Sequence, residues 1–173
     1  MNKTGVIYGI NGPVVYLKGN TGFKMSEMVY VGKERLVGEV IALTKDTTTV
    51  QVFEETTGLK PGETVTASGD ALSVTLGPGI LNNIFDGIER PLSEIAKQSG
   101  KYISRGLTVD SLDTEKKWDL HVTVSEGEEL MGGAIIAETQ ETRSIVHKSM
   151  VPPDVNGTVI WAAKDGKYTI LDP

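Results

Sequence analysis

Leu76-Gly77-Pro78-Gly79-Ile80-Leu81-Asn82-Asn83-Ile84-Phe85-Asp86-Gly87-Ile88-Glu89-Arg90-Pro91-Leu92 divides the chain into two parts that both read as short strands. Within this stretch the apolar period changes. Ile80, Leu81, Ile84, Phe85 and Ile88 fall at helical spacing, which predicts about two turns with one apolar face. Pro78 suits the first helical position, where a missing N–H costs nothing, and Gly87 suits the end. Pro91 then opens a second short helix over Ser93–Gln98, closed by Gly100. The expectation is a helical connector over residues 71–106 whose apolar face needs a surface to lie on.

Residues 1–70 read as an all-β unit. Val6–Ile10 and Val14–Leu17 flank Asn11-Gly12-Pro13, a turn signal. Further strands are expected at Met28–Val31, Leu36–Leu43, Thr47–Phe53 and Glu63–Ala67, with turns at Gly32-Lys33, Lys45-Asp46 and Gly58–Gly62. Short strands at close spacing predict a small closed barrel, because closure removes exposed edges. An oligonucleotide-binding barrel would need a basic face with exposed aromatics. This near-neutral segment offers only Tyr8, Tyr16, Phe23, Tyr30 and Phe53, most of them alternating with polar residues as core or cross-strand positions do.

Residues 107–173 form a second β-rich piece. Strands are expected at Leu120–Val124, Ile135–Ala137, Ile145-Val146, Gly157–Ala162 and Lys167–Ile170. Ser125–Glu129 turns around Gly127, Gln140–Ser144 makes a polar hairpin tip, and Asp165-Gly166 makes a turn. The order resembles a biotinyl- or lipoyl-type sandwich. Carrier chemistry would require a modifiable lysine at the hairpin tip, and Gln140-Glu141-Thr142-Arg143-Ser144 has none; Lys148 lies past it, beside His147.

The chain has 173 residues, no cysteine and a formal net charge of −6. The length allows one ordinary domain or two small ones, and thiolate metal sites and disulfides are excluded. No apolar run approaches the ~20 residues of a membrane span, and the N-terminus lacks a signal peptide's apolar core. A soluble cytoplasmic chain is expected, so the Asn-x-Thr sequons at Asn2 and Asn156 are read as accidental. Residues 107–173 hold twelve acidic and six basic side chains, which carries the whole excess. An acidic module repels phosphate backbones and argues against nucleic-acid binding; the surface is either a dock for a basic partner or a solvated face.

No catalytic motif stands out. A P-loop needs Gly-x-x-x-x-Gly-Lys-Ser/Thr, so that backbone N–H groups wrap phosphates. Gly32-Lys33 and Gly166-Lys167 are preceded at the required position by Glu27 and Trp161 and followed by Glu34 and Tyr168. Gly77-Pro78-Gly79 begins like a dinucleotide fingerprint but continues to Asn82. His121 and His147 could pair on zinc or could be an ordinary strand and turn histidine. Asp110, Asp113 and Glu115 lack the glycine of a calcium loop. Glu54-Glu55 and Glu126, Glu128, Glu129 could supply a general acid and base or be charged loop ends. Trp118 and Trp161 read as core or rim residues. No catalytic, cofactor-binding or metal residue is therefore assigned.

Leu76–Leu92 resembles the segment that follows the N-terminal barrel in the catalytic A subunit of V-type and archaeal-type rotary ATPases. Three later runs match the same family in order: Leu112-Asp113 with Lys116-Lys117-Trp118; Gly132-Gly133; and His147-Lys148 with Met150-Val151-Pro152-Pro153. Asp110-Ser111, Thr114 and Ser149 depart from its usual Pro-Ala, basic residue and Ile, and bear on local packing. The resemblance implies a barrel over 1–70 that joins a six-membered crown of alternating subunits. It also implies that 107–173 form the bulge that the non-catalytic subunit lacks. For the whole catalytic polypeptide it implies ATP synthesis or hydrolysis with Mg2+, coupled to proton or sodium transport. Partners would be the non-catalytic B subunit, other head subunits and the peripheral stalk through residues 107–173, with the head peripheral to the membrane and not inserted. The family's P-loop and catalytic glutamate follow the bulge, so a chain ending at Pro173 is expected to lack the nucleotide-binding domain, ATP binding and catalysis. The alternative is a free-standing carrier-like or protein-binding β module.

Overall fold

The computed structural model describes residues 3–172, and Asn2 and Pro173 lie outside them. The chain separates into two units, one made of residues 1–74 with 95–108, the other of 75–94 with 109–173. The stretch 71–106 is thus shared between them.

The first unit is a closed six-stranded barrel. Its strands are β1 (Thr4–Asn11), β2 (Val14–Lys18), β3 (Glu27–Val31), β4 (Leu36–Leu43), β5 (Thr47–Val52) and β6 (Thr64–Ala71). They pair antiparallel in the order β1-β2-β5-β4-β3-β6, and β6 returns to β1. Period-2 alternation sends Val15 and Leu17, Val29 and Val31, and Val50 and Val52 inward, each essentially inaccessible. Burying each such side chain is worth roughly 1.5–3 kcal/mol. Register shifts in β1 between Ile7 and Gly9 and in β4 between Val40 and Ala42 bend the strands as a small barrel requires. All six strands fall where the apolar alternation places them. Outside the barrel Tyr8 meets Tyr16 at 6.2 Å between ring centres, and Arg35 lies over Tyr30 at 4.2 Å. Phe23 is core.

The second of the two expected helices is present as α1 (Leu92–Ser99), followed by Gly100 at φ 72°. The first is absent. Residues 76–91 form turns with one isolated bridge between Phe85 and Pro91. Gly79, Asn82 and Glu89 have φ of 105°, 65° and 62°, values no right-handed helix accepts. The apolar stripe is broken up accordingly: Leu76 and Ile84 are exposed, while Ile80, Phe85 and Ile88 are partly buried.

The second unit holds a four-stranded antiparallel sheet, β10-β9-β7-β12, and a two-stranded ribbon, β11-β8. The strands are β7 (Trp118–Val122), β8 (Glu129–Leu130), β9 (Ile135–Gln140), β10 (Val146–Met150), β11 (Gly157–Thr158) and β12 (Gly166–Tyr168). Leu112, Trp118, Ala137 and Thr139 are buried in it, together with Gly77, Arg90 and Pro91 of the stretch before α1. The strand expected over Gly157–Ala162 stops at Thr158, which leaves Ile160 and Trp161 exposed. His147 lies in a strand, β10, and not in a turn. Among the described residues, no helix is long and apolar enough to cross a membrane.

Candidate functional site

The best-defined polar constellation in the second unit surrounds the strap, residues 76–91. With no helix to satisfy its N–H groups, the strap uses carboxylates. Asp86 accepts the N–H of Ile88 at 3.1 Å, the N–H of Arg90 at 2.9 Å and Arg90 Nε at 2.8 Å. Burial raises the Asp86 pKa, but the Arg90 N–H and guanidinium and the Ile88 N–H outweigh it and hold the group below 3.8. Glu89 accepts the Thr75 N–H at 2.6 Å and the Ser111 hydroxyl at 3.1 Å.

The third carboxylate comes from the β9–β10 hairpin. Glu141 Oε1 accepts the N–H of Gly79 at 2.8 Å and of Leu81 at 3.0 Å, and its Oε2 stands 3.7 Å from His147 Nδ1. The expected polar tip is therefore only partly exposed: the Glu141 side chain is 4% accessible. Behind it, a Cβ on Gly79 would come within 3.2 Å of the Trp118 ring. Lys116 Nζ covers that ring at 3.7 Å, and Trp118 Nε1 is buried without a hydrogen-bond partner.

His121 and His147 are not brought together. His121 is paired with Glu138, and His147 with Thr139, so adjacent rows put them on opposite faces of the sheet. His121 Nδ1 lies 2.8 Å from Asp165 Oδ2, whose other oxygen accepts the Val122 N–H. Asp165 raises the His121 pKa above 6.5; the Val122 N–H, then His121, lower that of Asp165 below 3.8. Lys148 stands in β10 with Nζ 3.3 Å from Glu138, on the sheet and away from the hairpin tip where a carrier lysine would sit.

Several of the remaining candidates take part in local hydrogen bonds. Asp113 accepts the N–H groups of Glu115 and Lys116, and Glu128 that of Ser125. Asp110, Glu126 and Glu129 are exposed. Glu54 takes the Gly106 N–H, and Glu55 the Thr57 hydroxyl. In the first unit, the Arg105 guanidinium donates to the Thr57 and Glu55 carbonyls and to the Glu34 carboxylate. Gly32 turns at φ 71°, and the N–H of Lys33 donates to Glu63, so this Gly-Lys pair has no free N–H array for phosphate. Gly166-Lys167 lies in β12. Gly77-Pro78-Gly79 leads into the strap and not into a helix, so the helix N-terminus a dinucleotide fingerprint requires is missing there. Asn156 is exposed, with its side-chain oxygen accepting the Gly132 N–H.

A closed barrel followed by a small unit of sheet and ribbon defines a class of β-modular chain whose polar clusters support turns and loops. Residues 7–69 match the family model of the ATP synthase alpha/beta family beta-barrel domain, and residues 109–173 match that of the ATP synthase alpha/beta subunit barrel-sandwich domain. The chain belongs to the ATP synthase alpha/beta family, matching the N-terminal region of its V-type and A-type A subunits. It is 49% identical over 170 residues to the V-type ATP synthase alpha chain of Halothermothrix orenii, covering 98% of this chain and 29% of that one. With the A subunit of the A-type ATP synthase of Methanopyrus kandleri the identity is 52% over 168 residues, covering 97% and 28%. With its counterpart in Pyrococcus abyssi it is 46% over 170 residues, covering 98% and 17%. The chain thus spans less than a third of the length of these relatives.

Proposed function

We propose that this chain is an assembly segment of the catalytic A subunit of a rotary ATPase. In this reading the barrel packs laterally beside barrels of the non-catalytic B subunit in the head, and residues 107–173 contact the stator or a regulatory partner. The whole catalytic polypeptide would make or hydrolyse ATP with Mg2+, coupled to proton or sodium transport. These 173 residues would hold the head together without catalysis of their own. The head would sit on the cytoplasmic side, peripheral to the membrane.

The observation that carries this reading is the match to A subunits along nearly the whole chain at about half identity. The barrel's surface supports it. Val6 and Tyr8, on the outer face of β1, are 54% and 51% exposed and offer apolar area that a neighbouring barrel could cover. Titration with a fluorescent ATP analogue is the first test: no saturable binding up to hundreds of micromolar is expected, and micromolar binding would overturn the division of labour. The immobilised 173-residue chain, offered purified peripheral-stalk subunits, should retain them; no retention would remove the stator assignment.

A further inference from the structure

Gly79 and Leu81 of the strap lie 62 and 60 residues from Glu141 of the β9–β10 hairpin, and its one buried carboxylate joins the two elements. We propose that Glu141 is a latch that couples them, so that displacing the hairpin tip releases the strap and loosening the strap releases the tip. The proposal goes beyond the assembly reading and holds whether or not that reading does.

Backbone bonds close the strap's second half, with the Asp86 N–H donating to the Arg90 carbonyl and the Leu92 N–H to the Ile84 carbonyl, while no ladder holds residues 76–83. Side-chain acceptors add to this, and two of them, Asp86 and Glu89, belong to the strap itself. Glu141 belongs to the hairpin, and it takes two strap N–H groups, from Gly79 and Leu81. Charge-assisted bonds from N–H to a carboxylate that water hardly reaches are stronger than neutral ones. A carboxylate left buried without those donors is costly, so the closed arrangement is not easily half-broken. His147 in β10 places its Nδ1 3.7 Å from the same carboxylate, on the hairpin side.

Both sides of the latch present surface for a partner to pull on. Beyond Glu141 the tip is open: Arg143, Ser144, Ile145 and Val146 are exposed. The tip is closed by the N–H groups of Glu141 and Thr142 donating to the Ile145 carbonyl. On the strap, Leu76 and Ile84 are 75% and 73% accessible. A contact that moves either element is therefore felt at the other, and such coupling must be reciprocal.

Amide hydrogen exchange on the 173-residue chain tests this. In Glu141→Ala, the Gly79 and Leu81 amides should exchange at least tenfold faster, with the barrel amides unchanged. Glu141→Gln keeps the shape and removes the charge; a severalfold acceleration at the same two amides is expected, and this variant decides the matter if Glu141→Ala unfolds the unit. Conversely, Leu81→Pro removes one strap donor and should accelerate the Glu141 and Thr142 amides severalfold. Unchanged exchange at Gly79 and Leu81 in both Glu141 variants would overturn the latch. So would acceleration there with no response of the hairpin amides to Leu81→Pro, which would leave two local bonds and no coupling.

Discussion

The carbonyl oxygen of Glu34 occupies the space in which a side chain at position 106 would begin. A Cβ on Gly106 would stand 2.1 Å from it, and Gly106 itself has φ 64°. The chain after α1 can lie against the barrel here only because residue 106 lacks a side chain. Gly106→Ala must shift backbone on one side or the other and also adopt a left-handed conformation. The expected loss is about 2–3 kcal/mol of barrel stability, combining strained backbone and overlap. Urea unfolding monitored in the barrel strands measures it.

Arg105 fixes the same segment through a planar fork that reaches two carbonyls and a carboxylate at once. A lysine cannot reproduce that geometry. Arg105→Lys should therefore cost nearly as much as Arg105→Ala, about 1–2 kcal/mol, and a denaturation comparison of the two variants reads the difference.

Asp86 is bonded to Arg90 within the strap, and although burial raises its pKa, the Arg90 and Ile88 donors hold it below the ordinary value of 3.8. A group whose folded pKa is depressed stabilises the fold above its unfolded pKa and loses that contribution as pH falls through the folded one. The strap anchor should thus be complete at neutral pH and fail only below about pH 4. Asp86→Asn should loosen residues 86–90 at pH 7 and remove this acid step, as followed by amide exchange across pH 3–7.

His121 behaves in the opposite sense. Its pKa is raised above 6.5 by Asp165, so its stabilising contribution is full below 6.5 and is lost as pH rises through the higher folded value. Asp165, depressed below 3.8, contributes above that value. The pair is therefore intact between the two. NMR titration of the His121 ring should give a midpoint above 6.5 that returns toward the ordinary value in Asp165→Asn.

Much of the barrel was legible because one physical rule governs it. Strands with one face inside a closed barrel must alternate, and Leu36–Leu43 occupies the very span its alternation marks. The strap misled for an equally physical reason. Ile80, Leu81, Ile84 and Phe85 have helical spacing, but spacing shows only where apolar groups recur and not which partner takes the N–H groups. Asp86 and Glu89 supply local acceptors, and Glu141 supplies a remote one that no local pattern reveals. A polar run such as Gln140–Ser144 reads as a solvated tip, and only the folded hairpin turns the second of its residues inward. Similarly, the opposite faces taken by His121 and His147 depend on the β7–β9–β10 register, which spacing alone leaves open.

A head-assembly segment should bind its neighbour in solution, and sedimentation velocity of the chain mixed with purified non-catalytic B subunit of a V- or A-type ATPase measures this. A faster-sedimenting heterocomplex is expected, weakened when Val6 and Tyr8 on the barrel's outer face are replaced by Glu and Ser. Two independent boundaries at all concentrations up to about a hundred micromolar, unchanged by those substitutions, would mean that these residues do not assemble the head.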